Sequence, residues 1–306
     1  MEKILVTGAN GYIGSRLIFY LNKKDICPIA LIREEAEWPF SLDAEIRRGD
    51  FSDEKFLHKS IEDIDIIFHL AGLKEYNKCS EEVDKVVDAN ISFTGRLLKV
   101  ARKNKTKVVF TSTYWVYGHK SPVPYDENLV LMPSEPYGWS KAMAEKMIMT
   151  SGVEYNILRL SNVFGYGMGK GYDEVVSLFL KKAISGEPVL LHNSGKHNID
   201  LISIDDTCRV LVSIIKKDFK DLILNVGSGI PISILKLAEV VNEVSKRLTG
   251  NSASISNEKT ENNDILFSDR WVDISRLKKL TGFVPTPIVS SMERFSHNLL
   301  AESSIT

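Results

Sequence analysis

Tyr137 and Lys141 stand four residues apart in the stretch Tyr137-Gly138-Trp139-Ser140-Lys141, a spacing that puts a phenol and an ammonium on one face of a helix. Pro133 and Pro136 hold the approach extended, and the run through Ala142, Ala144, Met147 and Ile148 favours helix, so the spacing predicts a helix that begins near Tyr137. A cation beside a phenol favours the phenolate and moves a group whose ordinary pKa is about 10 towards one that accepts a proton near neutrality. The chemistry on offer is proton transfer to and from an oxygen. The same spacing fits an amphipathic helix with a solvated lysine, so the rest of the chain has to decide between the two.

The elements able to position such a pair come early. Lys3-Ile4-Leu5-Val6-Thr7 suits a buried parallel strand, and Gly8-Ala9-Asn10-Gly11-Tyr12-Ile13-Gly14 separates it from a helical run over Ser15 to Leu21. In that context Gly8 permits a tight turn, Gly11 lets backbone amides approach a pyrophosphate, and Gly14 lets the helix pack close to the sheet with its N-terminus towards the anion. No Gly-Lys-Ser/Thr follows, which favours a dinucleotide over a nucleoside triphosphate. A second strand, Pro28 to Ile32, ends at Arg33. A guanidinium there suits a 2′-phosphate and leans the choice between NAD and NADP slightly towards NADP. The same side chain is also able to stack on adenine or stand in solvent, and Glu34 or Glu35 to serve a ribose hydroxyl.

Asp50, in Gly49-Asp50-Phe51, is a candidate acceptor for the adenine amino group. Asp65 to Gly72 supplies a further strand ending in small residues, and His69 within it reads as a satisfied core histidine, since no second ligand is near. Asn90 belongs to a long helix. Val108 to Thr113 forms a strand that delivers Ser112 and Thr113 at its carboxyl end, where open parallel sheets bind ligands.

With 306 residues, 43% hydrophobic and 26% charged, the chain has room for one large domain and a smaller lobe. A formal net charge of -1 gives no general reason to expect nucleic acid or an anionic membrane as partner. Cys27, Cys79 and Cys208 are few, odd in number and widely spaced, so neither a disulfide framework nor a metal site is expected. The N-terminus enters a strand without a leader-like segment, and no apolar run approaches membrane-spanning length. The expectation is a reducing cytoplasm and no membrane contact.

Five motifs then fall in a recognisable order: Thr7-Gly8-x-x-Gly11-x-x-Gly14, Leu70-Ala71-Gly72, Ser112-Thr113-x-x-Val116-Tyr117-Gly118, Tyr137-x-x-x-Lys141 and Leu158-Arg159-x-x-Asn162-Val163-Phe164-Gly165. In order and spacing they resemble the extended short-chain dehydrogenase/reductases, in particular the NAD(P)-dependent nucleotide-sugar epimerase/dehydratase family, from Met1 to about residue 290. The resemblance implies an α/β fold with a Rossmann-type doubly wound parallel sheet in residues 1–165, to which 197–227 return. A smaller α/β C-terminal substrate lobe, residues 166–196 and 228–306, would close over a sugar nucleotide. It implies further that Tyr137 is the base, that Lys141 holds the nicotinamide ribose and tunes Tyr137, and that Thr113 hydrogen-bonds the reacting oxygen. Ala71-Gly72-Leu73-Lys74 is most similar to the UDP-galactose 4-epimerase branch, whose matching lysine contacts the cofactor. The implied cofactor set is Gly8, Gly11, Tyr12, Ile13, Gly14, Arg33, Asp50, Phe51, Leu70, Ala71, Gly72, Lys74, Asn90, Ser112, Tyr137, Lys141 and Ser161. Thr113, Asn162, Lys196 and Arg270 would face the substrate.

Dehydratases of this family carry Asp-Glu directly after the catalytic Thr, because eliminating water needs an acid and a base at a neighbouring carbon. Tyr114 and Trp115 stand there instead. That disfavours 4,6-dehydration and sugar-acid decarboxylation, and leaves oxidation, 4-epimerisation through a keto intermediate, or reduction of a ketosugar. Trp115 also reads as plain core. The expected activity is an NAD(P)-dependent sugar-nucleotide 4-epimerase, with an NADPH-dependent ketosugar reductase or a non-catalytic dinucleotide sensor as alternatives.

By the same resemblance, Ile199 takes the place of a diphosphate-binding arginine and Glu261 that of a second, with Lys196, His197 or Arg270 as candidates to compensate. Asp205-Asp206 reads as a helix cap, Asn225 to Gly229 as a loop before a helix capped near Ser233, and Ser245 to Asn263 as a polar surface connection. Trp271 to Leu280 and Ser290 to Leu300 read as helical. Apolar helices around Asn90 to Val100 and Tyr137 to Ile148 are those through which relatives pair, so a homodimer is expected.

Overall fold

A strand without a polar face has to be covered on both sides, and β1 (Ile4–Thr7), with all four residues buried, lies inside the main sheet accordingly. The computed structural model describes residues 2–38, 41–74, 79, 81–167, 175–215, 219–258 and 265–303. Its main sheet has seven parallel strands in the order β10-β6-β5-β4-β1-β2-β3. These are β2 (Ile29–Arg33), β3 (Glu45–Gly49), β4 (Ile66–His69), β5 (Lys107–Thr113), β6 (Tyr155–Leu160) and β10 (Leu222–Val226). The order reverses between β1 and β4, which leaves a crevice beyond their carboxyl ends.

The pleat decides which helices cover which face. Ile4 and Val6 of β1 join a cluster with Leu17, Ile18 and Leu21 of α1 (Tyr12–Asn22) and Leu211 of α7 (Ile204–Ile215). Leu5, pointing the other way, joins Leu57 of α2 (Glu54–Ile61), Leu97 of α4 (Phe93–Asn104) and Ile148 of α5 (Pro136–Thr150). Between α2 and α4 lie a single turn, α3 (Val83–Val86), and a π-helical turn, Val87–Ser92. The arrangement is the doubly wound, Rossmann-like α/β fold that the family resemblance implied.

Beyond β6 the chain builds a second set of layers. It comprises β7 (Asn162–Phe164), α6 (Val175–Ser185), β8 (Val189–His192), β9 (Asn198–Ser203), β11 (Pro231–Ser233), α8 (Ile234–Thr249), β12 (Ile255–Glu258), α9 (Ser275–Thr281) and α10 (Ile288–Ser303). Two small sheets result, β11-β9-β7 and β12-β8. A third hydrophobic cluster, including Phe164, Phe179, Leu191, Leu237 and Phe295, ties them to α6, α8 and α10.

Three expectations need correction. The run from Ser245 is not merely a connection: α8 continues to Thr249 with Val244 and Ser245 buried, and Ile255–Glu258 pairs with β8. Its polarity is that of an edge strand, with Ser256, Asn257 and Glu258 exposed; residues 259–263 lie outside the described residues. Trp271 is not helical. It and Asp273 bracket Tyr125 through backbone bonds of 2.8 Å each, and α9 starts only at Ser275. Asp205 and Asp206 sit in the first turn of α7 rather than capping it; the Ser203 hydroxyl accepts from Asp206 N at 3.1 Å. The two carboxylates reach elsewhere, Asp205 to Arg16 and Asp206 to Thr286 and Arg209.

Candidate active site

Helix α5 begins where the chain can satisfy its free amides. Pro136 has none, and the Glu135 carboxylate accepts from Tyr137 N at 2.7 Å and from Gly138 N. Gly138 is dictated by space, because an added Cβ would lie 2.6 Å from both Glu135 Oε1 and Trp115 O. Tyr137 is thereby placed, half-buried, in the first turn, and Lys141 one turn on is buried. The Lys141 ammonium donates to Thr111 O at 3.0 Å and lies 4.6 Å from the centre of the Phe110 ring. Burial pushes its pKa down to about 8, against an opposing pull from Glu145. A Cβ at Gly72 would sit 2.7 Å from Asn90 Oδ1 and 3.4 Å from Lys141 Nζ, so these three residues meet at the ends of β4 and β5. Thr113, at the end of β5, accepts from Trp115 N at 3.3 Å and caps the short 3-10 turn Tyr114–Tyr117. Ser112 Oγ beside it is buried and without a hydrogen-bond partner among the described residues.

The glycine turn has the close approaches its sequence requires. Gly8 has φ 64°, Gly11 N donates to Gly8 O at 2.9 Å, and a Cβ on Gly14 would stand 2.2 Å from Gly8 O. Around it opens a cleft of about 330 Å³, bounded by Tyr12, Ile13, Arg33, Phe51, Leu70, Ala71 and Lys74, which continues past Asp50 into a space of about 710 Å³ reaching Arg96. A cradle that any side chain would block, joined to a long groove at the sheet's reversal point, fits a dinucleotide.

Other candidates are spread along the groove. Tyr12 donates its hydroxyl to Gly165 O at 2.9 Å, and Lys74 Nζ is 5.5 Å from the Tyr12 ring centre. Arg33 is exposed, with Glu35 at 3.9 Å. Asp50 accepts from Ser52, whose hydroxyl and amide hold its carboxyl below the usual range. Phe51 stacks on Phe93 at 4.6 Å. Asn90, on the π-turn, bonds Leu73 N and O and the Ser140 hydroxyl. Ser161 donates to Asp200 at 3.3 Å, and Asn162 opens β7.

Arg270 is buried over Trp115, 4.4 Å from its ring, with its guanidinium bonded to the carbonyls of Ile265 and Leu266. It stands opposite Ile199, whose side chain is committed to the third hydrophobic cluster. Lys196 is exposed in the turn before β9 and shares no hydrogen bond with the other candidates among the described residues. Glu261 lies outside them. Among the described residues no cluster of three or more His, Cys, Asp or Glu is placed to hold a metal ion, and no helix is long and apolar enough to cross a membrane.

Some residues that organise the site escaped the sequence reading. The Thr7 hydroxyl receives the amides of Leu70 and Ala71, at 3.2 Å each, and so fixes the bend after β4. Asp200, fully buried, collects Ser161, Ser228, Gly229 and Val272. Glu135 left a usable signal, an acidic residue directly before a proline at a helix start; the role of Asp200 as a joint left none, because its donors come from three distant stretches.

A sequence model of the NAD dependent epimerase/dehydratase family matches residues 4–227. A Methanocaldococcus jannaschii protein named as a UDP-glucose 4-epimerase is 31% identical over 255 residues, 78% of this chain and 81% of that protein. A dTDP-D-glucose 4,6-dehydratase of Dictyostelium discoideum is 27% identical over 282 residues, 80% of this chain and 62% of the relative. A solved structure of UDP-glucuronic acid 4-epimerase from Bacillus cereus, in complex with UDP-glucuronic acid and NAD, superposes with a TM-score of 0.84 at 25% identity, covering 98% of this chain and 99% of that one.

Proposed function

Because this chain belongs to the NAD dependent epimerase/dehydratase family, we propose that it is an NAD(P)-dependent epimerase of the 4-epimerase type, acting on a sugar nucleotide through a transient keto intermediate. The observation that carries this reading is that Lys141, one turn on from Tyr137 in α5, reaches the Thr111 carbonyl of β5, the strand that ends at Thr113, with aromatic residues rather than carboxylates at 114 and 115.

In this reading the amides of the Gly8–Gly14 turn hold the pyrophosphate, Asp50 and Phe51 flank the adenine, and Asn90, Ser112 and Lys141 receive the nicotinamide end. The nicotinamide supplies a reversible hydride acceptor. Tyr137 takes the proton from the sugar hydroxyl and gives it back, Thr113 holds the same oxygen, and Lys141, while charged, keeps the phenolate accessible. Asn162, Lys196 and Arg270 face the substrate. Residues 1–165 and 197–227 carry the cofactor, and 166–196 with 228–306 cover the sugar nucleotide. Dehydration lies outside the proposal, since Tyr114 and Trp115 offer no carboxylate. The chain acts in the cytoplasm as a homodimer. Arg33, exposed and only loosely held, favours NADP over NAD and gives weight to a second reading, an NADPH-dependent ketosugar reductase.

The test is turnover of UDP- and dTDP-hexoses with nicotinamide absorbance followed alongside. An epimerase inverts the sugar with no net change in absorbance, whereas a reductase consumes NADPH in step with product. Tyr137→Phe should lower turnover by about 100-fold or more while leaving cofactor affinity nearly unchanged. Unaltered turnover in that variant would remove Tyr137 from the mechanism.

A further inference from the structure

His69 is a buried ionisable group that the proton transfers do not use, and its bonds have only one consistent direction. Thr94 Oγ1 lies 2.6 Å from Asn90 O, which can only accept, so the single hydroxyl hydrogen of Thr94 goes there. The contact of 2.9 Å between His69 Nε2 and Thr94 Oγ1 must then be donated by the ring. Nδ1 is left as an acceptor, 2.9 Å from Thr7 Oγ1, and the Thr7 hydroxyl, already accepting from two amides, donates to it. The imidazole is neutral: burial, assisted by the nearby Lys141 charge, pushes its pKa down to about 3.

One continuous chain of bonds follows from these assignments. It starts at the residue before the glycine turn, crosses β4 through His69, passes through Thr94 to the carbonyl of Asn90, and continues from the Asn90 side chain to Leu73 and the Ser140 hydroxyl. Ser140 in turn donates to Tyr137 O at 2.8 Å. The link at Asn90 falls on the π-turn, the least regular stretch of the helix, where an added residue per turn swings the side chain towards Gly72 and Lys141.

We propose that His69 is a positioning residue, which holds the π-turn and its Asn90 against the end of β4 and so sets the wall shared by the nicotinamide ribose and Lys141. This rests on the dinucleotide reading above. His69 touches neither cofactor nor substrate; it acts through Asn90.

The test compares His69→Phe, which keeps the ring volume without its nitrogens, with His69→Gln, which retains one donor and one acceptor. Each is measured for NAD and NADP affinity by fluorescence, for kcat, and for thermal midpoint. His69→Phe should bind cofactor at least about fivefold more weakly and turn over about tenfold more slowly or worse, and His69→Gln should recover most of both. Thr94→Val cuts the same link from the other side and serves if His69→Phe fails to fold; the double variant His69→Phe/Thr94→Val should be no worse than the more impaired single variant. A folded His69→Phe, or a folded Thr94→Val, with wild-type affinity and kcat would overturn the proposal and leave the cofactor reading intact. So would equal impairment of the Phe and Gln variants in step with lost thermal stability. Failure of the wild-type protein to bind either dinucleotide would instead remove the reading on which this rests.

Discussion

The Lys141 ammonium costs folding free energy at the position where the proposed mechanism needs it. Its depressed pKa, about 8 against an ordinary 10.5, means that between those values the unfolded chain binds more protons than the folded one. Stability from this group therefore rises with pH across that window, and below it the penalty is present in full. Lys141→Met, which keeps the chain length and removes the charge, should raise the thermal midpoint at pH 7 while abolishing turnover. The gap in midpoint between variant and wild type should close as pH climbs from about 8 to 10.5. A variant less stable than wild type at pH 7 would show that the bonds from Nζ outweigh its desolvation. At this scale the sequence was readable where geometry is set within a few neighbouring residues: the close approaches of the three glycines and the one-turn spacing of Tyr137 and Lys141 on a helix are such cases. The stacking of Arg270 on Trp115 and its bonds to a nearby loop were not readable, because they depend on contacts that no local spacing records.

Among elements, α5 matters most, because the orientation of its first turn is the orientation of the phenol. Glu135 sets that turn by serving two amides at once, and burial raises its pKa against the pull of those same amides. Glu135→Ala should cost about 1–2 kcal/mol of stability, as for loss of other helix caps. It should lower kcat more than cofactor affinity, since Lys141 sits a turn further in; chemical denaturation and steady-state kinetics would measure the two effects. The helix itself was legible from Pro136 and the apolar run after it. The π-turn at Val87–Ser92 was not, since nothing in Val-Asp-Ala-Asn-Ile-Ser departs from an ordinary helical pattern. The strand Ile255–Glu258 was missed for a different reason: an edge strand with one half-buried residue looks like a loop.

For the whole molecule, the doubly wound sheet could be anticipated from the motifs that carry the family resemblance, whereas the joints between layers could not. Asp200 is the chief joint, drawing the end of β6, the loop after β10 and the segment before α9 onto one carboxylate. Every donor around it points inward. Asp200→Asn would bring a donor into that ring and should destabilise the protein by about 1–3 kcal/mol in denaturant titrations. No loss of stability would mean that the joint is held by the surrounding apolar contacts alone.

The bond from Tyr12 to Gly165 O has a different reach. It makes the glycine turn and the exit of β7 parts of one mechanical unit, so whatever one ligand of the proposed pair gains by tightening this contact the other gains in equal measure. Under the proposed function, each ligand would then bind more weakly to the empty protein than to one already holding the other.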